Sequence, residues 1–269
     1  MNKILCASVV SVFAAAGFGQ AVNVGPATVT PLGTNWYTPA GENTGGGAAF
    51  INGSYSGIDA DGSMQITGDR SRIVNGNMYP SAGFPGPNLG LASGLSRLSF
   101  DWTVTSQGSG VQTAQAPVLR VILWSATSNR RYDIVWEDGE QVSPSFVNGA
   151  GSFNTIYTGD FFGANSRVYA RTGGFGDWGF RDGAGNMISG STSHMSIGTA
   201  LSLLPSDTII TGLSLGVGSS VGAGFTGYAD HVDFAVAGGI DTTMNFIPTP
   251  GAAALLGLGG LAASRRRRA

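Results

Sequence analysis

The stretch Leu95-Ser-Arg-Leu-Ser-Phe-Asp-Trp-Thr-Val104 decides the fold class. Leu98, Phe100, Trp102 and Val104 fall on one side of an extended chain; Arg97, Ser99, Asp101 and Thr103 fall on the other. Successive side chains of a strand point to opposite faces, so a period of two marks a strand with one buried and one wet face. A helix would need apolar residues three and four apart. The alternation recurs downstream. Tyr132, Ile134 and Trp136 alternate with Arg131, Asp133 and Val135. Val232, Phe234 and Val236 share a face opposite His231, Asp233 and Ala235, and Tyr228 and Asp230 extend that apolar phase backwards, with Asp230 at its edge. Pro117–Ala126 and Thr208–Val217 are more continuously apolar, as central strands are.

Turn signals separate these runs. Asp138-Gly139 and Asp182-Gly183 favour hairpins, which predicts pairing of 130–137 with 140–146 and of 177–181 with 186–190. Asp61-Gly62 introduces a strand over 63–67. Glycine supplies 44 of 269 residues, roughly double the usual share, without a strict period. Charged residues make up only 11% of the chain, and no long helical pattern is present. About ten strands without a helical crossover are expected. The economical architecture is all-β: an antiparallel two-sheet sandwich, jelly-roll-like, over residues 22–246, with a short C-terminal hydrophobic helix.

The two ends read as addresses. Lys3, an apolar run from Ile4 to Phe18 and the small residues Gly19-Gln20-Ala21 form a secretory signal peptide, residues 1–21, cleaved after Ala21. Cys6 is the single cysteine and lies inside this signal, so the mature protein holds no disulfide and no thiolate metal site. Residues 247–269 carry Pro248, Thr249 and Pro250, an uncharged run from Gly251 to Ala263, then Ser264 and Arg265, Arg266, Arg267 and Arg268. The prolines keep the break out of the helix. A helix of that length spans only about 20 Å of a hydrocarbon core of roughly 30 Å, so it suits a transient anchor, with the arginines held on the cytoplasmic side. This tail resembles the PEP-CTERM sorting signal that bacterial exosortase systems recognise and remove. It departs from that pattern at Thr249, where the family has Glu. The resemblance implies signal peptidase and exosortase as partners, transient residence in the inner membrane, and delivery to the cell surface or extracellular matrix.

Without Lys3 and Arg265–Arg268, 9 of the 14 basic residues remain against all 16 acidic ones, a net charge of −7 with no lysine. Nucleic-acid binding needs a cationic footprint, so it is excluded from the expected functions.

Catalytic motifs are weak. Gly212-Leu-Ser-Leu-Gly216 and Gly218-Ser-Ser-Val-Gly222 match a nucleophile elbow literally, but the elbow needs a sharp strand-to-helix turn, and Ser214 falls inside a predicted strand. Glu137, Asp138 and Glu140 cluster at a predicted turn, where solvated carboxylates are ordinary. His231 and Asp233, two apart on a strand, would share a face. Asp59-Ala-Asp61-Gly62-Ser63 lacks the later glutamate of an EF-hand and reads as a turn. No catalytic residue is assigned. Aromatics in glycine- or proline-rich surroundings, including Trp36-Tyr37, Phe84 and Phe161-Phe162, read mainly as core or loop-staple contacts. Phe175-Gly-Asp177-Trp178 places two rings beside a carboxylate and is the candidate glycan contact.

Leu95–Trp102, Pro117–Trp124, Tyr132–Trp136 and Tyr228-Ala-Asp230-His-Val232 together resemble the lectin-like β-sandwich ectodomains that precede such sorting tails. The last resembles the Asp-Asn-Val strand that closes carbohydrate-binding jelly rolls. That resemblance implies extracellular polysaccharide as a partner. No cofactor is expected; the resemblance leaves a structural calcium, with Asp230 among its ligands, as the alternative to an ordinary strand-end carboxylate. The expected function is that of a secreted, non-enzymatic structural or adhesive protein; the alternative is a carbohydrate-binding module, ahead of a glycan-active hydrolase.

Overall fold

The computed structural model describes residues 20–24, 36–52, 57–110, 116–141, 152–173, 179–182, 184–189 and 194–247. The signal core, the sorting tail from Pro248 onward, and Phe175, Asp177 and Trp178 lie outside them. Among the described residues there are fifteen strands: β1 (Gln20–Val24), β2 (Trp36–Tyr37), β3 (Ala48–Asn52), β4 (Ser63–Thr67), β5 (Arg72–Gly76), β6 (Leu95–Ser106), β7 (Val118–Ser125), β8 (Arg130–Trp136), β9 (Tyr157–Asp160), β10 (Tyr169–Thr172), β11 (Phe180–Arg181), β12 (Met187–Ser189), β13 (Ile209–Gly216), β14 (Thr226–Val236) and β15 (Asp241–Phe246). One short helix, α1 (Ile197–Ser202), is capped by the Ser196 side chain, which accepts a hydrogen bond from the Thr199 N–H.

Two large sheets hold most of these strands. In the first, β14 is the hub. One edge pairs along its length with β6, which pairs onward with β9. The other edge is divided: Thr226–Ala229 pairs with β4, and Val232–Ala235 pairs with β15. The second sheet runs β10-β8-β7-β13-β5-β2 and is antiparallel throughout. The first is antiparallel except for β1, which lies parallel to β15. Both sheets feed one hydrophobic core. Phe100 of β6 meets Trp136 of β8 edge-on with ring centroids 5.5 Å apart, and Trp102 stacks on Tyr157 at 4.8 Å. Burying rings of this size is worth about 4–6 kcal/mol each as transfer free energy, an upper bound.

The β6 register is the expected one: Leu98, Phe100, Trp102 and Val104 are fully buried. β4 occupies the predicted 63–67, and β11 pairs with β12 as the Asp182-Gly183 signal implied. Three expectations need correction. Asp138–Glu140 forms a 3-10 turn rather than a two-residue hairpin loop, and the two edges of β8 pair with β7 and β10; residues 142–146 of the expected partner lie outside the described residues. The second face of β8 is not wet either, since Asp133 and Val135 are both fully buried. Finally, Asp230 sits in the sheet rather than at an apolar edge. It is fully buried opposite Asp101, and the register shifts between Asp230 and Asp233 with His231 at φ 47°. That bulge breaks the period-two phase that set Tyr228 and Asp230 in line with Val232: Ala229, Val232 and Phe234 enter the core, while His231, bonded to Asp101, and Asp233, opposite Ser99, share the outer face as expected. Among the described residues no helix is long and apolar enough to cross a membrane.

Candidate functional site

The second sheet turns Leu119, Val121 and Leu123 of β7 into the core, so Arg120 points outward. Antiparallel register builds rows across that outer face. One runs Tyr169, Val135, Arg120, Ser214, Val74, Tyr37. The next runs Arg171, Asp133, Ile122, Gly212, Gly76. On the other side Arg72 pairs with Gly216, which pairs with Val118. The central strand β13 therefore presents only Gly212, Ser214 and Gly216 here. A Cβ on Gly216 would lie 2.3 Å from the Arg72 Cβ, so that position stays bare. A trough of small residues results, flanked by long cationic side chains.

The chain leaving β5 turns at Gly76, with φ 89°, and brings Met78 and Tyr79 over the sheet. The resulting open cleft has a volume of about 530 Å³, within the range of roughly 300–1,000 Å³ typical of small-ligand sites. Arg70, Arg72, Arg120, Arg131 and Arg171 line it, against two lining carboxylates, Glu42 and Glu137. In a chain whose formal net charge is −2, this is a concentrated cationic patch.

The arginines are arranged around internal carboxylates. Arg131 holds the fully buried Asp133 in two hydrogen bonds of 2.9 and 2.5 Å, and Arg171 Nε donates to the same carboxylate at 2.5 Å. Burial alone would raise the Asp133 pKa, but Arg131, Arg171 and Arg120 hold it down at about 2. Glu42 accepts from Arg70 at 3.3 and 3.4 Å; Arg72 Nε stands 3.0 Å from it without hydrogen-bond alignment. Tyr79 donates to Glu42 at 3.4 Å and lies under the Arg131 guanidinium at 5.3 Å. Tyr169 donates to Glu137 at 3.3 Å; burial, then that carboxylate, raises the Tyr169 pKa.

Arg120 differs from its neighbours. It is 7% exposed, and its Nε has no hydrogen-bond partner among the described residues. Burial first, and the nearby Arg72 second, lower its pKa to about 10. Its nearest counter-charge is Asp133, which Arg131 and Arg171 already hold, and a polar N–H buried without a hydrogen bond is costly.

A second polar cluster occupies the fork in the first sheet, where β4 and β15 part along β14. Asp230 Oδ1 accepts from the His231 and Phe246 backbone N–H groups, both at 2.8 Å. Its Oδ2 is buried without a partner, as is Asn245 Oδ1, while the Asn245 amide donates to Asp61 at 3.0 Å. Burial raises the Asp230 pKa to about 6, against the two backbone donors. The His231 ring bridges Asp101 at 3.1 Å and Asp59 at 2.9 Å; burial lowers its pKa, but these two carboxylates outweigh burial and raise it. Asp233 instead meets Thr243. Two orphan acceptor oxygens beside a carboxylate suit either a proton on Asp230 or a hard cation such as calcium. No group of three or more His, Cys, Asp or Glu side chains converges as a metal site among the described residues.

The other sequence candidates divide by location. Phe175, Asp177 and Trp178, with sorting-signal residues Pro248, Thr249, Pro250 and Arg265–Arg268, fall outside the described residues. Trp36 and Phe161 are core, whereas Phe84 is exposed. Ser214 lies mid-strand in β13 and forms trough floor rather than an elbow. The arginine face escaped the sequence reading. Its one visible signal was Arg120, a single charge inside the apolar run Val118–Trp124.

No protein-family model, curated protein or solved structure matches the chain.

Proposed function

We propose that this is a secreted, jelly-roll-like sandwich protein, sorted to the cell surface or extracellular matrix, that adheres by binding polysaccharide on the outer face of its second sheet. The observation that carries the binding reading is the roughly 530 Å³ cavity over β13, lined by arginines and by the rings of Tyr79 and Tyr169. A sugar offers hydroxyls to guanidinium and carboxylate groups and an apolar face to a ring, and this lining supplies all three partners. Tyr79 is 52% exposed, so its ring is accessible for stacking. The sorting half of the proposal rests on Pro248, Pro250, the apolar run and the arginine cluster, with exosortase and signal peptidase as processing partners.

Binding to the producing organism's extracellular polysaccharide tests the reading, using calorimetry on the full chain. Tyr79→Ala weakens binding about tenfold while the melting temperature stays near that of the parent. Unchanged binding by that variant removes the cavity from the account. A structural calcium at Asp230 is a separate proposal, supported by the orphan Oδ2 of Asp230 and Oδ1 of Asn245.

A further inference from the structure

The cavity's own charge arrangement specifies what it receives. Two carboxylates of this face each sit against a pair of arginines: Asp133 against Arg131 and Arg171, and Glu42 against Arg70 and Arg72. Arg120 stands on β7, between Asp133 on β8 and, across β13, Arg72 on β5. Its buried Nε has no partner among the described residues. Arg120 lines the cavity together with Ser214 and Gly216, which carry no charge.

We propose that the group seated there is a carboxylate presented by a uronic-acid unit of an extracellular polysaccharide, and that Arg120 is its principal partner. The inference rests on the polysaccharide-binding reading above and names its ligand class. A planar carboxylate matches the guanidinium fork in two parallel hydrogen bonds, which a neutral hydroxyl does not. The internal pairs show that arginine spacing on this face already accommodates carboxylates, with Arg131 gripping Asp133 through both Nε and Nη2. A dianionic phosphate would bring its second charge toward Glu42 and Glu137, which share the lining. The ligand thereby meets an arginine that is buried with an unpartnered Nε, as expected where a local rule is broken at a functional position.

Calorimetry on the full chain tests this with four probes: an oligoglucuronate, its carboxyl-reduced neutral counterpart, a sulfated oligosaccharide of equal length without uronate, and free glucuronic acid. The oligoglucuronate binds at least tenfold more tightly than the neutral and sulfated probes. Arg120→Met abolishes that preference and melts no lower than the parent. Ser214→Val, which narrows the trough and keeps the charge, gives the same loss and serves as the second variant if Arg120→Met does not fold. Equal binding of the neutral probe, preference for sulfate, or a preference retained by either folded variant overturns the carboxylate assignment while leaving polysaccharide binding intact. Binding of free glucuronic acid without any oligosaccharide upholds the carboxylate site and removes the polysaccharide. Binding of none of the four removes both.

Discussion

Arg120 on β7 is the direct cross-strand partner of Ser214 on β13, so the most deeply buried cation of the arginine face borders its emptiest strand. The chain has placed a long charged side chain beside small ones in the middle of a six-stranded sheet. Packing alone would favour an apolar residue at that position.

The fold depends on the β6 phase. Trp102 is fully buried between Trp136 and Tyr157. Trp102→Ala is expected to destabilise by about 3–5 kcal/mol, read from chemical denaturation. A variant that unfolds at the parent's midpoint contradicts the assigned packing.

Asp133 is the anchor of the arginine face. Asp133→Ala leaves Arg131 and Arg171 without their shared carboxylate and is expected to cost about 3–5 kcal/mol. The pH dependence has a definite sign. The folded pKa of about 2 lies below the unfolded value, so the stabilisation is fully present above the unfolded pKa. It is lost as pH falls through about 4 toward 2, and it amounts to about 2–3 kcal/mol. Melting temperatures between pH 5 and pH 2 check this, and a loss of equal size in Asp133→Asn would contradict it.

Asp230 titrates in the opposite sense. Its folded pKa of about 6 exceeds the unfolded value, so its contribution is present at acid pH and lost as pH rises through about 6. His231, also raised, acts in the same direction. In EDTA the protein is expected to melt at a lower temperature at pH 8 than at pH 5, with a smaller difference in Asp230→Asn. Calcium restores the loss at pH 8 by binding the folded state. A melting curve indifferent to both EDTA and calcium removes the cation from this fork.

Sorting predicts a mass. If the proposed sorting holds, protein released from the host surface is expected to lack Arg265–Arg268, with the chain cut near Pro250. Replacing the four arginines by neutral residues weakens membrane retention, since each charge opposes translocation by about 2.5–3.5 kcal/mol at a helix centre. Intact arginines on the extracellular protein would contradict the processing.

What the sequence disclosed follows from local periodicity. Leu98, Phe100, Trp102 and Val104 are in phase within one strand, so their burial was legible without knowing any partner. The turn at Asp61-Gly62 was legible for the same reason. Asp133 was not, because an alternating charge on a strand ordinarily faces water, and its burial arises from arginines on two strands plus Tyr79 folded over them. Arg120 was visible as an odd charge in an apolar run, but the cavity around it exists only once β13 pairs between β7 and β5. The bulge at His231 and the parallel pairing of β1 with β15 have no local signature, since both depend on distant strands.

The most direct test is a crystal structure of the protein with a bound acidic oligosaccharide. The account predicts ligand density in the trough over Ser214 and Gly216, with a uronate carboxylate on the Arg120 guanidinium and a sugar ring against Tyr79. Density against Phe175 and Trp178, with the arginine face empty, would contradict it.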